Sequence, residues 1–339
     1  MKYKINKGNL FTLLVVTCVV LYITLKGEFS SILQVLQNAN PFWLFMALIC
    51  ILVYWLIEAK TLHIMLQTYD EYFSYREVLK LVVSTQFFNG ITPFSTGGQP
   101  FQIYVLTQRS NLKLSSITSA TIHNFIIYQT VLVIMGSFAI ASRYLYNVFP
   151  NDPKGLNLIA FSGFSLNLII IIALIIITIS PSLTSKILSA IYFLISKTPL
   201  NRKLSTIKIK CNKTIEEFHK DILILMSNRT MYFKALSLNI LKLLCFYTVA
   251  YFISLAVGFN AITVIQAIIA SAYVMLVTSI VPLPGASGGA EMGFLVFFGS
   301  FVIGPQATAI MLLWRFITYY VGLFAGVITF YFGYKSPVV

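Results

Sequence analysis

The residues that could do chemistry in this chain are a few charges placed inside long apolar runs. Arg315 lies ten positions into the run Pro305–Tyr331, and Tyr319 and Tyr320 follow about one turn later. Glu291 comes directly after a glycine pair in another apolar stretch. Glu58 and Lys60, then His63, close the run Pro41–Leu66, while His123 and Asn124 lie within Ile117–Ala141. A charge at the centre of a membrane span costs ~2.5–3.5 kcal/mol on insertion scales, so each of these needs a partner or a use. The planar fork of Arg315 suits a phosphate or a carboxylate. Glu291 either closes on Arg315 as a buried ion pair or meets a cationic headgroup. Glu58 has three options: pairing with Lys60, snorkelling to the interface, or joining the same site. His63 and His123 read as hydrogen-bonded core residues rather than ligands.

A second signal is an internal echo. Pro93-Phe94-Ser95-Thr96-Gly97-Gly98 and Pro284-Gly285-Ala286-Ser287-Gly288-Gly289 both spell P-x-x-[ST]-G-G. Asn89-Gly90 precedes the first copy, and Glu291 follows the second. Proline and paired glycine break a helix. Freed backbone groups cannot face hydrocarbon, so they must line protein or a watered cavity. Two broken segments entered from opposite sides mark an inverted-repeat transporter with its site near the midplane. Helix N-termini at the breaks would offer N–H groups to an anion such as a lipid phosphate. The plainer alternative is that the glycines only let helices pack closely.

No enzyme signature accompanies these residues. The three histidines are scattered, and no zinc spacing, nucleophile elbow, P-loop or dinucleotide fingerprint occurs in a suitable context. Cys18, Cys50, Cys211 and Cys245 form no CxxC pair and read as small packing residues. Neither a metal nor an organic cofactor is expected, and nucleic acid is not an expected partner.

The elements that must position the site are membrane helices. Of 339 residues, 58% are hydrophobic and only 10% charged, and the mean hydropathy is +0.84. This excludes a soluble domain, which carries roughly 25% charge, and a disordered chain. An outer-membrane barrel is excluded by the lack of short alternating strands. The expected fold is all-α: a polytopic helical membrane protein of seven to nine hydrophobic segments, with two broken or re-entrant regions in an inverted repeat. The expected spans are Leu10–Leu25, Pro41–Leu66, Ile117–Ala141, Leu158–Ser180, Ala235–Val257, Ala261–Val281 and Pro305–Tyr331. The interrupted stretches are Leu79–Val105 and Ala290–Ile303. Lys242 is expected near the start of its span, where it can snorkel.

The net charge of +14 gathers between spans. Lys2, Lys4 and Lys7 precede the first run, and Pro181–Lys234 holds ten Lys/Arg against Glu216, Glu217 and Asp221. The positive-inside rule places both in the cytoplasm of a cell-membrane protein. The first run lacks a small-x-small cleavage site and reads as a span, not a removed signal. The whole chain, 1–339, reads as one membrane domain, with halves 1–180 and 235–339 flanking the basic segment 181–234. Thr198–Pro199 looks like a helix start there. Ile207, Ile215, Phe218, Ile222 and Leu225 then recur as an amphipathic helix, which would lie on an anionic membrane surface or form a solvated connection.

Taken together, these motifs carry a resemblance. Asn89-Gly90…Thr92-Pro93…Gly97-Gly98-Gln99-Pro100, then Pro282-x-Pro284-x-x-x-Gly288-Gly289-x-Glu291, then Trp314-Arg315 with Tyr319-Tyr320, resembles the lysylphosphatidylglycerol synthase transmembrane-region family. This is the flippase-like membrane domain of the bacterial multiple peptide resistance factor, and the resemblance runs over roughly residues 5 to 335. It implies a stand-alone membrane form without the C-terminal synthase domain. It implies translocation of an anionic or aminoacylated phospholipid such as lysyl-phosphatidylglycerol, and with it resistance to cationic antimicrobial peptides. Glu291, Arg315, Gly288, Gly289, Pro284, Gly97, Gly98, Pro93, Asn89, Glu58 and Tyr319 would then meet the phospholipid headgroup. Two alternatives remain. One is the lysyltransferase activity of the family name. The other is a non-transporting membrane partner of a separate synthase or glycosyltransferase. A homo-oligomer is compatible with either.

Overall fold

The computed structural model describes residues 29–333 except 71, 96, 147, 150–155 and 197–203. The expected first span Leu10–Leu25, the N-terminal lysines, Thr96 and the Thr198–Pro199 helix start lie outside the described residues. Everything described is helix and connection, with no strand among the described residues.

Local sequence explains where the helices begin. After the short α1 (Phe29–Asn38), α2 (Pro41–Leu66) starts with Pro41 in its first turn, and the Asn40 side chain accepts from the Phe42 N–H. The chain then runs through α3 (Tyr75–Ile91), α4 (Gly98–Arg109), α5 (Leu114–Tyr146), α6 (Leu156–Ile179), α7 (Pro181–Ser196) and α8 (Leu204–Ser227). Asn228 caps α9 (Arg229–Ala256) through the Met231 N–H. A Thr263–Gln266 capping box opens α10 (Val264–Thr278). Next come α11 (Gly289–Phe298) and α12 (Pro305–Arg315), then a single π-helical turn, Phe316–Tyr320, and α13 (Val321–Gly333).

Among the described residues, five stretches are long and apolar enough to cross a membrane: α2, Leu114–Arg143, Ala160–Ile179, α9 and Pro305–Gly333. The chain is a polytopic helical membrane protein. One expectation needs correction. Ala261–Val281 is not a full span, because its helix holds 15 residues against the ~20 a bilayer needs. The expected last span is present as Pro305–Gly333, with the π turn inside it.

The centre of the molecule is the pairing of α2 with α9. Trp43 stacks on Phe252, Tyr54 meets Phe246, and Ile51, Trp55, Leu243, Tyr247 and Ala250 are buried in one cluster. The outer face of α6 stays bare, with Ile169, Ile172, Ile175, Ile176 and Ile179 exposed, as a lipid-facing surface requires. On its inner side, Gly163 lies against the Leu276 carbonyl with no room for a Cβ.

The basic segment forms α7 and α8 rather than one helix. Ile222 and Leu225 of α8 are buried, and the side of α8 that carries them lies against protein. Ser116 of α5 donates to the Asp221 carboxylate at 3.0 Å, Ser119 to the Phe218 carbonyl and Tyr69 to the Asp221 carbonyl. Burial, then the nearby Asp221 charge, pushes the Tyr69 phenol upward, which keeps this donor protonated. The membrane or solvent expected on that face is replaced there by α5.

The echo in the sequence is an echo in the backbone. The two arms α3 and α4 fold on each other as a hairpin, and α10 and α11 do the same. Each break is the tip of its hairpin, and the tips meet in an antiparallel bridge between Pro93 and Pro284. Phe94 and Ser95 take φ of 54° and 52°; their counterparts Gly285 and Ala286 take 57° and 52°. Ser95 N–H donates to the Thr92 carbonyl, and Ala286 N–H donates to that of Leu283. The offset of 191 positions between Pro93 and Pro284 also separates Gly98 from Gly289 and Leu114 from Pro305, where paired helices begin. It continues to Phe125 and Phe316, Ile126 and Ile317, and Tyr128 and Tyr319. The repeat is therefore gapless from the tips into the following helices.

Candidate functional site

Beside the hairpin tips lies a cavity of about 630 Å³, with walls from both halves of the chain. Glu58, Gln86, Asn89 and Asn124 reach it from the first half; Lys242, Ser271 and Arg315 reach it from the second. Three of the expected residues, Glu291, Arg315 and Tyr319, come together at the place where the tips touch.

Arg315 ends α12, and its side chain is 6% exposed. Its Nε lies 2.7 Å from Glu291 Oε1, and its Nη2 donates to the Gly285 carbonyl at 2.7 Å and the Ser287 hydroxyl at 3.2 Å. The guanidinium also covers the Tyr319 ring at 4.1 Å, a cation–π contact. Tyr319 in turn donates to the Gly90 carbonyl of the first tip at 3.1 Å. One turn of the last span therefore fastens both tips, the second through Arg315 and the first through Tyr319. Glu291 sits in the first turn of α11, where the helix dipole favours a negative charge. Its other oxygen, Oε2, is buried and has no hydrogen-bond partner among the described residues.

The glycines are demanded by close approach. A Cβ on Gly285 would overlap the Tyr319 ring, and the positive φ there independently favours glycine. Gly98 lies against Asn89 and Thr85, Gly97 against Thr92, and Gly289 against Val281. The expected anion-binding N–H groups of the first break are already used. Gly98 N–H donates to Asn89 Oδ1 at 2.9 Å, and Gly97 N–H donates to Thr92 Oγ1 at 2.8 Å. Asn89 is thus a cap for α4.

Glu58 neither pairs with Lys60 nor snorkels. Its Oε2 accepts from Gln86 at 3.3 Å inside the cavity, while Lys60 lies over Tyr75 on the outside. His63 is hydrogen-bonded to the Phe73 carbonyl as expected. His123 is not: neither ring nitrogen has a hydrogen bond among the described residues.

Lys242 is the residue that the sequence reading misplaced. Because Asn228 starts α9 early, Lys242 falls mid-helix and is 3% exposed, not near an interface. Its ammonium lies 4.4 Å from the Tyr128 ring and 5.5 Å from that of Tyr54. The Asn228 cap, seven residues before the expected start at Ala235, was the available signal. Gln129, Asn167 and Ser279, linked by hydrogen bonds at one wall, gave no signal in the sequence.

The fold and the site define a class: a helical membrane protein whose two halves meet at hairpin tips beside a cavity that holds polar and charged side chains. Within that class, the chain belongs to the lysylphosphatidylglycerol synthase transmembrane-region family, whose model matches residues 9–326. It is similar to a UPF0104 membrane protein of Archaeoglobus fulgidus, 23% identical over 311 residues, covering 87% of this chain and 88% of the relative. A UPF0104 membrane protein of Methanothermobacter thermautotrophicus is 26% identical over 166 residues, or 45% of this chain and 44% of that one. No solved structure matches the chain.

Proposed function

We propose that this protein translocates a phospholipid across the membrane, and that the headgroup passes through the central cavity. The observation that carries this reading is the antiparallel meeting of two hairpin tips beside a cavity that holds Glu58, Lys242 and Arg315 within an apolar helix bundle. Polar groups at that depth are costly unless they serve a solute, and an inverted repeat gives such a site two related faces. The headgroup is anionic or aminoacylated, as in lysyl-phosphatidylglycerol. Two carboxylates, Glu58 and Glu291, suit an amine, and two cations, Lys242 and Arg315, suit a phosphate. In this conformation the Arg315–Glu291 ion pair, with the bonds from Arg315 to Gly285 and Ser287, holds the second tip to the last span, so these charges become available only as that contact opens. Translocation of this kind would place the protein in a cell membrane, with its basic segment on the cytoplasmic side.

The test is purified protein in liposomes that carry lysyl-phosphatidylglycerol in one leaflet, with its amine followed by an impermeant reagent. Wild type is expected to move the lipid, and Glu291→Gln to slow it at equal amounts of folded protein. A folded wild type that moves neither this lipid nor phosphatidylglycerol would refute the reading. A wild-type rate in Glu291→Gln would refute the role of the ion pair.

A further inference from the structure

The two cations of the cavity are not in the same condition. Arg315 is closed on Glu291, Gly285 and Ser287. Lys242 is 3% exposed, lines the cavity, and has no hydrogen-bond acceptor and no carboxylate at ion-pair distance among the described residues. What it has instead is two aromatic faces, Tyr128 and Tyr54. Glu58 lines the same cavity but is not at ion-pair distance from Lys242. The repeat sharpens the contrast. Tyr128 and Tyr319 are counterparts, and each carries a cation on its ring, Lys242 at 4.4 Å and Arg315 at 4.1 Å. In the second half a carboxylate completes the arrangement. In the first, Asn124 stands where Arg315 would, and Pro100 stands where Glu291 would. A buried ammonium without an acceptor is costly, and the open side of this one faces the cavity.

We propose that Lys242, cradled by Tyr54 and Tyr128, is the anion-binding element of the cavity in this conformation and takes a phosphate monoanion, with Glu58 beside it receiving an ammonium on the same ligand. This deepens the lipid reading above and rests on it for the source of the phosphate. Aromatic faces hold the ammonium in place without neutralising it, so it stays available as a point charge for a phosphate. The Glu58 carboxylate then favours a headgroup that bears an amine over one that bears only the phosphate.

The test titrates purified protein with three probes by calorimetry: dihexanoyl-phosphatidylglycerol, its lysyl ester, and inorganic phosphate. Lys242→Gln is expected to weaken both lipids by about tenfold or more, with Lys242→Arg restoring much of the loss. Glu58→Gln is expected to weaken the lysyl ester and leave phosphatidylglycerol nearly unchanged. Binding of inorganic phosphate in competition with the lipids would support a phosphate subsite. Binding of inorganic phosphate alone would support the anion site and assign it to a free anion. Equal affinities of wild type and Lys242→Gln for all three probes, with both proteins monodisperse, would overturn the proposal. Liposome transport keeps the two readings apart. Transport by wild type with unchanged Lys242→Gln binding and rate refutes only the Lys242 site. Lys242-dependent binding without transport refutes only translocation.

Discussion

Removing Glu291 should be far more damaging than its position on a short helix suggests. The Arg315 side chain is 6% exposed and that of Glu291 18%, with 2.7 Å between Nε and Oε1. Glu291→Ala strands a guanidinium that has already left water. Breaking a buried pair from one side typically costs about 3–5 kcal/mol. The hydrogen bonds from Nη2 to Gly285 and Ser287 survive, so the lower end, about 3 kcal/mol, is expected. Arg315→Met leaves the more exposed partner, Glu291, unpaired but also deletes the bonds to Gly285 and Ser287 and the contact with the Tyr319 ring, so it should cost at least as much. The double variant Glu291→Leu/Arg315→Met should recover much of the loss, since an apolar pair of similar volume removes both desolvation penalties. The assay is reversible unfolding of the single and double variants in mixed micelles of mild detergent and SDS. A cost below about 1 kcal/mol for Glu291→Ala would mean the pair behaves as a surface ion pair, and the argument that it fastens the second tip to the last span would fail. A double variant no better than the worse single would fail it equally.

Two further outcomes follow from the same geometry. Tyr319→Phe deletes the bond to the Gly90 carbonyl and keeps the ring under Arg315. It should cost about 1 kcal/mol and raise hydrogen exchange at residues 89–95, and unchanged exchange there would refute the tip contact. Gly163→Leu forces a side chain into the Leu276 carbonyl and should cost about 3 kcal/mol or prevent folding, read as lost monodisperse protein. A normally folded variant would refute the close approach of α6 and α10.

Much of the architecture was legible because apolar run length speaks directly to helices. Pro41–Leu66 appeared with the bounds read from Asn40-Pro41 and the following uninterrupted apolar residues. The two breaks were legible for the same reason in reverse, since proline and paired glycine are costly inside a helix. What stayed hidden was partner choice. That Glu58 turns to Gln86 rather than Lys60 depends on which face of α2 meets α3, and a helix apolar on all sides carries no periodic sign of its faces. The length of the repeat was also missed. Beyond the tips its identities thin to scattered matches such as Phe125 with Phe316, and only the shared helix starts make the register plain. The Glu291–Arg315 pairing, one of two alternatives in the sequence, is the one the structure forms.

The π turn at Phe316–Tyr320 acts as a phase shifter. Its counterpart in α5, residues 125–129, is ordinary α-helix, so the two copies of the repeat run in step as far as this turn and out of step beyond it. One extra residue per turn rotates everything downstream by about 100° relative to an uninterrupted helix. On the near side of the shift, Arg315 faces the cavity and the second tip. On the far side, Gly322 is turned toward Trp55, and Gly326 sits so close to the Phe87 backbone that a Cβ there would lie 2.7 Å from its nitrogen. The last span thus meets two separate angular demands with a single rod: a charged face toward the cavity and a glycine face flush against α3. Shortening residues 316–320 by one position would keep either face in place only by turning the other away.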